Sequence, residues 1–168
     1  MSAVETLDAL YLGEREAEMA KREFLTFRLG EETYGIDILQ VQEIREIDLV
    51  TRIPHVARFV RGVINLRGAI VPVVDLGLMF GFPQPIGLEK ASAIVMNTDR
   101  RMVGLVVSSV SDVLALAEEE IAPTPELGTR AIAAAIAGIG TRRGGGAGES
   151  VLLLDVDYVM KRVREDRT

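Results

Sequence analysis

The chain contains no cysteine and a single histidine. The first absence excludes disulfides, thiolate metal sites and cysteine nucleophiles. The second leaves any Ser-His-Asp arrangement resting on His55, which follows Pro54 in a polar bend and reads as a surface-loop residue. Aromatics are scarce as well: no Trp, three Tyr and five Phe. Single-stranded nucleic acid is gripped by aromatic stacking inside a basic groove. An OB-like, strand-binding barrel is therefore disfavoured, and the net charge of −6 argues against nucleic acid of any kind. A membrane helix needs roughly 20 predominantly apolar residues, whereas the longest apolar stretch, Met102 to Ala117, is broken by Ser108, Ser109, Ser111 and Asp112. The acidic start, Met1-Ser-Ala-Val-Glu-Thr-Leu-Asp8, has no apolar core and does not read as a signal peptide. The expectation is a cytoplasmic protein without direct membrane insertion.

Apolar residues are plentiful. They make up 48% of the 168 residues, and the mean hydropathy is +0.24. That is enough for one sizeable core or two small ones, and far from the composition of a disordered chain. Residues 1–21 are rich in Glu and Ala and read as a disordered or fraying lead-in. From Phe24 the pattern changes. Leu25, Phe27 and Leu29 alternate with Thr26 and Arg28, the period of a strand, and Tyr34 to Asp37 forms the return. Between Ile38 and Ile47 the spacing predicts a brief helical turn and then a strand. Leu49 to Ile53 reads as a strand stopped by Pro54, and Val56 to Val60 as one turn of helix.

The strongest local signal is the hairpin Val63-Ile-Asn-Leu-Arg-Gly-Ala-Ile-Val-Pro-Val-Val-Asp-Leu76. Two β-branched segments flank Asn65-Leu66-Arg67-Gly68, and Gly68 supplies the left-handed conformation of a short loop. The tip is expected to present Leu66 and Arg67 side by side, which points to binding rather than catalysis. Asp75 is placed to cap a short helix through Phe80. Further strands are expected at Ser92–Met96, Met102–Val107, Val110–Leu116 and Val151–Val156, with an extended segment over 118–125 and a C-terminal helix over Asp157–Glu165. Short strands between Gly-, Pro- and Asp-rich turns are the pattern of an all-β barrel or sandwich. Arg130 to Gly138 has the alanine content of a helix, and the glycines of 142–149 read as a mobile loop.

Candidate chemistry is thin. The glycine cluster lacks a following Gly-Lys-Ser/Thr and leads into a strand rather than a helix, so it is not a phosphate loop. Asp37, Glu43, Glu46 and Asp75 could supply a general acid and base, yet nothing marks two of them as a buried pair. A small hydrolase using Asp37 or Glu43 is the alternative from another class. No His or Cys accompanies these carboxylates, no Asp-x-Asp-x-Asp loop exists, and no cofactor or metal is indicated. The remaining pattern is apolar residues that could be exposed (Ile38, Val41, Ile44, Leu66), which by themselves read first as core, since a buried Val is far commoner than a recognition Val.

Several of these stretches closely resemble the CheW family of chemotaxis coupling proteins. They are Glu23 to Arg45, Val50-Thr-Arg-Ile-Pro54, Phe59-Val-Arg-Gly-Val-Ile-Asn-Leu-Arg-Gly68, Val71 to Leu76, Val103 to Val107, Val110 to Leu114 and Leu152 to Val156 with its helix. The resemblance runs in order from about Phe24 to Lys161. It implies an all-β fold of two five-stranded SH3-like β-barrel subdomains with short helices and a C-terminal helix, forming one domain over residues 22–166. It also implies a non-enzymatic adaptor, recruited to membrane receptor arrays. Its partners would be the cytoplasmic tip of methyl-accepting chemotaxis receptors and the regulatory domain of the histidine kinase CheA. A coupling module serving a non-motility kinase pathway would look the same. The matched receptor-facing positions are Ile38, Val41, Glu43, Ile44, Gly62 and Arg67, with Val110 and Val113. The kinase-facing positions are Val50, Arg52 and Leu127, the last standing where the family often has an aromatic. Over 128–150 the resemblance implies a strand hairpin with Gly144–Gly148 at its tip, while the alanine-rich run keeps its helical alternative.

Overall fold

The computed structural model describes residues 21–98, 101–124, 130–141 and 149–165. The chain enters through an antiparallel hairpin, β1 (Arg22–Leu29) and β2 (Glu32–Asp37), turning at Gly30 with φ +63°. A 3-10 turn at Ile38–Gln40, capped by the Asp37 side chain accepting from the Leu39 amide at 3.0 Å, then carries it away. Next come β3 (Val41–Glu46), β4 (Val60–Leu66), β5 (Ala69–Asp75), α1 (Leu76–Met79), a 3-10 turn at Leu88–Lys90, β6 (Ser92–Thr98) and β7 (Arg101–Val107). At Ser108 the chain returns to the first sheet, the Ser108 amide donating to the Arg28 carbonyl at 3.1 Å. There follow β8 (Ser109–Leu116), a 3-10 turn at Glu118–Glu120, β9 (Ile121–Ala122), α2 (Arg130–Ala135), β10 (Ile136–Thr141), β11 (Ser150–Leu154) and α3 (Val156–Glu165).

Two sheets result. One has the order β8-β1-β2-β11-β10-β9, the other β3-β6-β7-β5-β4. The second carries the expected five strands; the first carries six because the two-residue β9 adds to β10. Pairing is antiparallel except for β2 with β11 and β5 with β7. One apolar core joins the sheets: Leu25, Phe27, Leu29 and Ile36 from the first meet Val74, Ile94, Met96 and Leu105 from the second. Each such side chain, fully buried, contributes about 1.5–3 kcal/mol. Tyr34 stacks on Phe27 at 5.8 Å and tilts against Phe80 at 5.7 Å, an aromatic row running from β1 to the end of α1. Burial, and secondarily the charge of Glu32, pushes the Tyr34 hydroxyl above its usual 10.0. Helix α3 seals this core with Val156, Val159, Met160 and Val163, the i, i+3, i+4, i+7 stripe of an amphipathic helix.

Several expectations are corrected. Leu49–Ile53 is no strand: only Thr51 forms a bridge, antiparallel to Val63, so the pairing with β4 stops after one residue, and Leu49 is 78% exposed. Val56–Val60 is a chain of turns with one helical-type bond, Val60 amide to Ala57 carbonyl at 3.0 Å, and no helix. Leu66 does not stand at the hairpin tip. It is buried against Val71 and Val95, since the loop is the two residues Arg67 (φ +51°) and Gly68 (φ +88°), the two-residue turn with positive φ at both positions. Residues 118–122 coil into the 3-10 turn and β9, with Glu120 Oε1 accepting from the Ala117 amide at 2.9 Å, in place of an extended run. Strand β11 stops at Leu154 because Asp155 caps α3, its Oδ1 accepting from the Tyr158 amide at 3.1 Å. The alanine-rich run holds both readings in succession: α2 through Ala135, then β10 pairing with β11 as a hairpin. The hairpin tip at 144–148 and the lead-in at 1–20 lie outside the described residues.

Candidate functional site

Three of the positions that the resemblance assigns to a receptor, Ile38, Val41 and Val110, lie where the chain passes between the sheets. Ile38 sits in the 3-10 turn of the first crossover, and Val41 opens β3 immediately after it. Val110 follows the second crossover, paired opposite Phe27. Val41 and Val110 both pack onto the shared core while remaining only partly buried. Val113 shares a row with Leu25 and Ile36 across three strands. It is 43% exposed at the rim of a cavity of about 180 Å³ that Thr26, Arg28 and Asp112 also line. Ile44, on β3, is 46% exposed.

Glu43 and Arg67 lie 24 residues apart in sequence and meet at 3.1 Å, Arg67 Nη2 donating to Glu43 Oε2. They stand at the two edges of the five-stranded sheet, Glu43 on β3 and Arg67 at the end of β4, so the ion pair spans the opening between those edges. Glu43 Oε1 is buried and accepts no hydrogen bond from the described residues. Arg67 is 67% exposed, and the turn fixes its backbone.

Backbone contacts span the same opening. Thr51 and Val63 exchange two hydrogen bonds, Thr51 amide to Val63 carbonyl at 2.9 Å and the reverse at 2.8 Å. Gly62 makes that approach possible. It is buried, with φ +141°, and a Cβ there would lie 2.2 Å from the Thr51 carbonyl oxygen. Val50 and Arg52, the positions that the resemblance assigns to a kinase, flank Thr51, Val50 partly buried against Gly62 and Arg52 exposed. Beside them runs a groove of about 270 Å³ lined by Arg45, Ile47, Leu49, Ile64 and Asn65 among others. Leu127 lies outside the described residues.

Three of the four carboxylates considered for chemistry are engaged. Asp37 caps the 3-10 turn and pairs with Arg22 at 3.1 Å, Glu43 holds Arg67, and Asp75 is fully buried against Arg61 at 3.0 Å. Glu46 is exposed at the end of β3. His55 is exposed in its loop with φ +61°. Among the described residues no three or more His, Cys, Asp or Glu are placed to hold a metal ion, and no helix is long and apolar enough to cross a membrane. Sequence reasoning missed the exposure of Leu49, Ile53 and Ile70, and the partner of Asp75. The only local sign of the latter was the adjacent Arg61-Gly62, which marks a strand irregularity only once the register is known. An apolar junction bordered by ion pairs can receive apolar side chains and match charges across an interface; it is the make-up of a docking module.

Comparison with known proteins agrees. The family model described as the CheW-like domain matches residues 23–164. The chain is 46% identical over 144 residues to the chemotaxis protein CheW of Klebsiella aerogenes, covering 85% of this chain and 84% of that protein. It is 29% identical over 153 residues to the protein FrzA of Myxococcus xanthus, covering 86% and 89%. The crystal structure of the scaffolding protein TtCheW from Thermoanaerobacter tengcongensis superposes with a TM-score of 0.71 at 30% identity, covering 80% of this chain and 89% of that one. The chain belongs to the CheW family.

Proposed function

We propose that this protein is a chemotaxis adaptor that couples methyl-accepting chemotaxis receptors to the histidine kinase CheA. It binds the cytoplasmic tip of the receptors and the regulatory domain of the kinase, holds both in one signalling array at the membrane, and passes receptor state to the kinase. It works by binding, without catalysis, from the cytoplasm. The observation that carries this reading is the family match across residues 23–164, supported by 46% identity to a chemotaxis protein over most of both chains.

The geometry supports a division of surfaces. On this reading the receptor tip docks at the sheet junction, its apolar side chains on Ile38, Val41, Ile44, Val110 and Val113, its charges matched by Glu43 and Arg67. Gly62, the remaining receptor-facing position implied by the family, is buried and offers no side chain to a partner. The kinase domain docks on the Val50–Arg52 segment, with Leu127 as the additional position implied by the family. Residues 22–166 act as one domain, because the core is shared by both sheets. A small interface of this kind supports an affinity of about micromolar, or roughly −8 kcal/mol.

Calorimetric titration with the isolated CheA regulatory domain of the same organism tests the reading. Saturable one-to-one binding is the expected result. No heat and no complex at high micromolar concentrations of both proteins rejects CheA as the partner.

A further inference from the structure

The β4–β5 ladder has one irregularity. Val60 faces Val74 and Gly62 faces Val73, so Arg61 has no cross-strand partner. Such a bulge re-aims its side chain and sharpens the local twist. Here it turns Arg61 onto Asp75, the residue that ends β5 and caps α1. Arg61 Nη1 donates to Asp75 Oδ2 at 3.0 Å and to the Ile86 carbonyl at 2.8 Å. The Asp75 carboxylate also accepts from the amides of Leu78 at 3.0 Å and Ile86 at 2.8 Å. Asp75 is fully buried and the Arg61 side chain 18% exposed, so removing either partner would leave the other as an uncompensated charge away from water. The residue after the bulge is Gly62, against which Thr51 closes. The residue after that is Val63, which exchanges both bonds with Thr51.

We infer that Arg61 is a positioning residue for the proposed kinase-facing edge: its ion pair with Asp75 holds the β4 bulge, and the bulge holds Thr51, with Val50 and Arg52 beside it, in the presented conformation. Arg61 touches no partner in this scheme. It acts through Gly62 and Val63, and the inference rests on the functional reading above for what that edge binds. The Glu43–Arg67 pair at the far end of β4 is outside its reach, so receptor docking is spared.

The test is made on the full chain with Arg61→Gln and Arg61→Lys. If Arg61→Gln alone strands the buried carboxylate and unfolds, Arg61→Gln with Asp75→Asn is read in its place. Amide hydrogen exchange by NMR is expected to speed up about tenfold or more at Thr51 and Val63, with β6 and β7 amides unchanged, as for a local opening. The Kd for the CheA regulatory domain is expected to rise about fivefold or more, with receptor-tip affinity within about twofold of wild type. Arg61→Lys, which keeps the charge against Asp75, is expected to restore both. Unchanged exchange at Thr51 and Val63 overturns the inference whatever the kinase domain does, and so does an equal loss of both partners. Wild-type protein that fails to bind the kinase domain overturns the functional reading instead, and exchange at the two amides still decides whether Arg61 holds the edge.

Discussion

Reversing the Glu43–Arg67 ion pair separates its two roles, bracing the sheet edges and addressing a partner. The pair is 3.1 Å long, with side chains 67% and 25% exposed, so solvent screens it and its coupling is about 0.2–1 kcal/mol. Arg67→Glu removes that coupling and adds a like-charge repulsion of similar size. The backbone cost of φ +51° is common to both residues and drops out. The expected loss is about 1 kcal/mol, or roughly 2–4 °C in Tm for a chain of this size. The exchanged double variant, Glu43→Arg with Arg67→Glu, is expected to regain stability to within about 0.5 kcal/mol of wild type. Receptor-tip binding behaves differently, because the partner meets reversed charges in both variants. An affinity loss of about tenfold or more is expected in each, equivalent to about 1.4 kcal/mol. Thermal denaturation and calorimetry on the four proteins of the cycle provide the readout. A double variant that binds receptor as well as wild type would refute partner recognition by these charges. A loss above about 3 kcal/mol in Arg67→Glu would mean that the pair is a structural staple, and that lost binding reports unfolding.

Other substitutions probe the same framework. Gly62→Ala drives a Cβ to 2.2 Å from the Thr51 carbonyl and should cost about 3 kcal/mol in denaturant unfolding; a loss under 1 kcal/mol would show that the Thr51 closure is dispensable. Leu66→Ala, in a core position 2% exposed, should cost about 2–5 kcal/mol. Ile44→Ala, 46% exposed, should cost under about 1 kcal/mol while weakening receptor binding. The reverse ranking in urea unfolding would mean that the assigned faces are exchanged. Tyr34 adds a pH dependence. Its folded pKa is raised above 10.0 by burial, so folding favours the protonated phenol. That stabilisation is complete below about pH 10 and is lost as pH climbs from there through the folded value. Tyr34→Phe should flatten this decline in unfolding free energy above about pH 10, and an equally steep decline in the variant would assign it to other groups.

The elements legible in the sequence were those whose cause is local. Alternation of Leu25, Phe27 and Leu29 marks β1 wherever the strand sits. Positive φ at Gly68, the capping carboxylate of Asp75 and the apolar stripe of α3 are each set within a few residues. Even the alanine-rich run obeyed its own propensity as far as Ala135, and then yielded to pairing with β11. Charge and the absence of cysteine excluded function classes from side-chain chemistry, and the family resemblance supplied the adaptor reading.

Tertiary structure decided what depends on residues far apart. Leu66 and Arg67 are neighbours in sequence, yet one enters the core and the other stays in solvent, because a two-residue turn fixes the register and register fixes the face. A strand at Leu49–Ile53 was a fair reading of β-branched residues, but only Thr51 finds a partner, twelve positions away at Val63. Glu43 meets Arg67, and Arg61 meets Asp75, only after the sheet has curled and the bulge has formed. The amino-acid order alone settled the elements with a local cause, such as β1, the turn at Gly68 and the Asp75 cap, since their energies are summed over adjacent residues. The folded sheet fixed which edges meet and which side chains stay exposed, since those energies belong to pairs far apart in the chain.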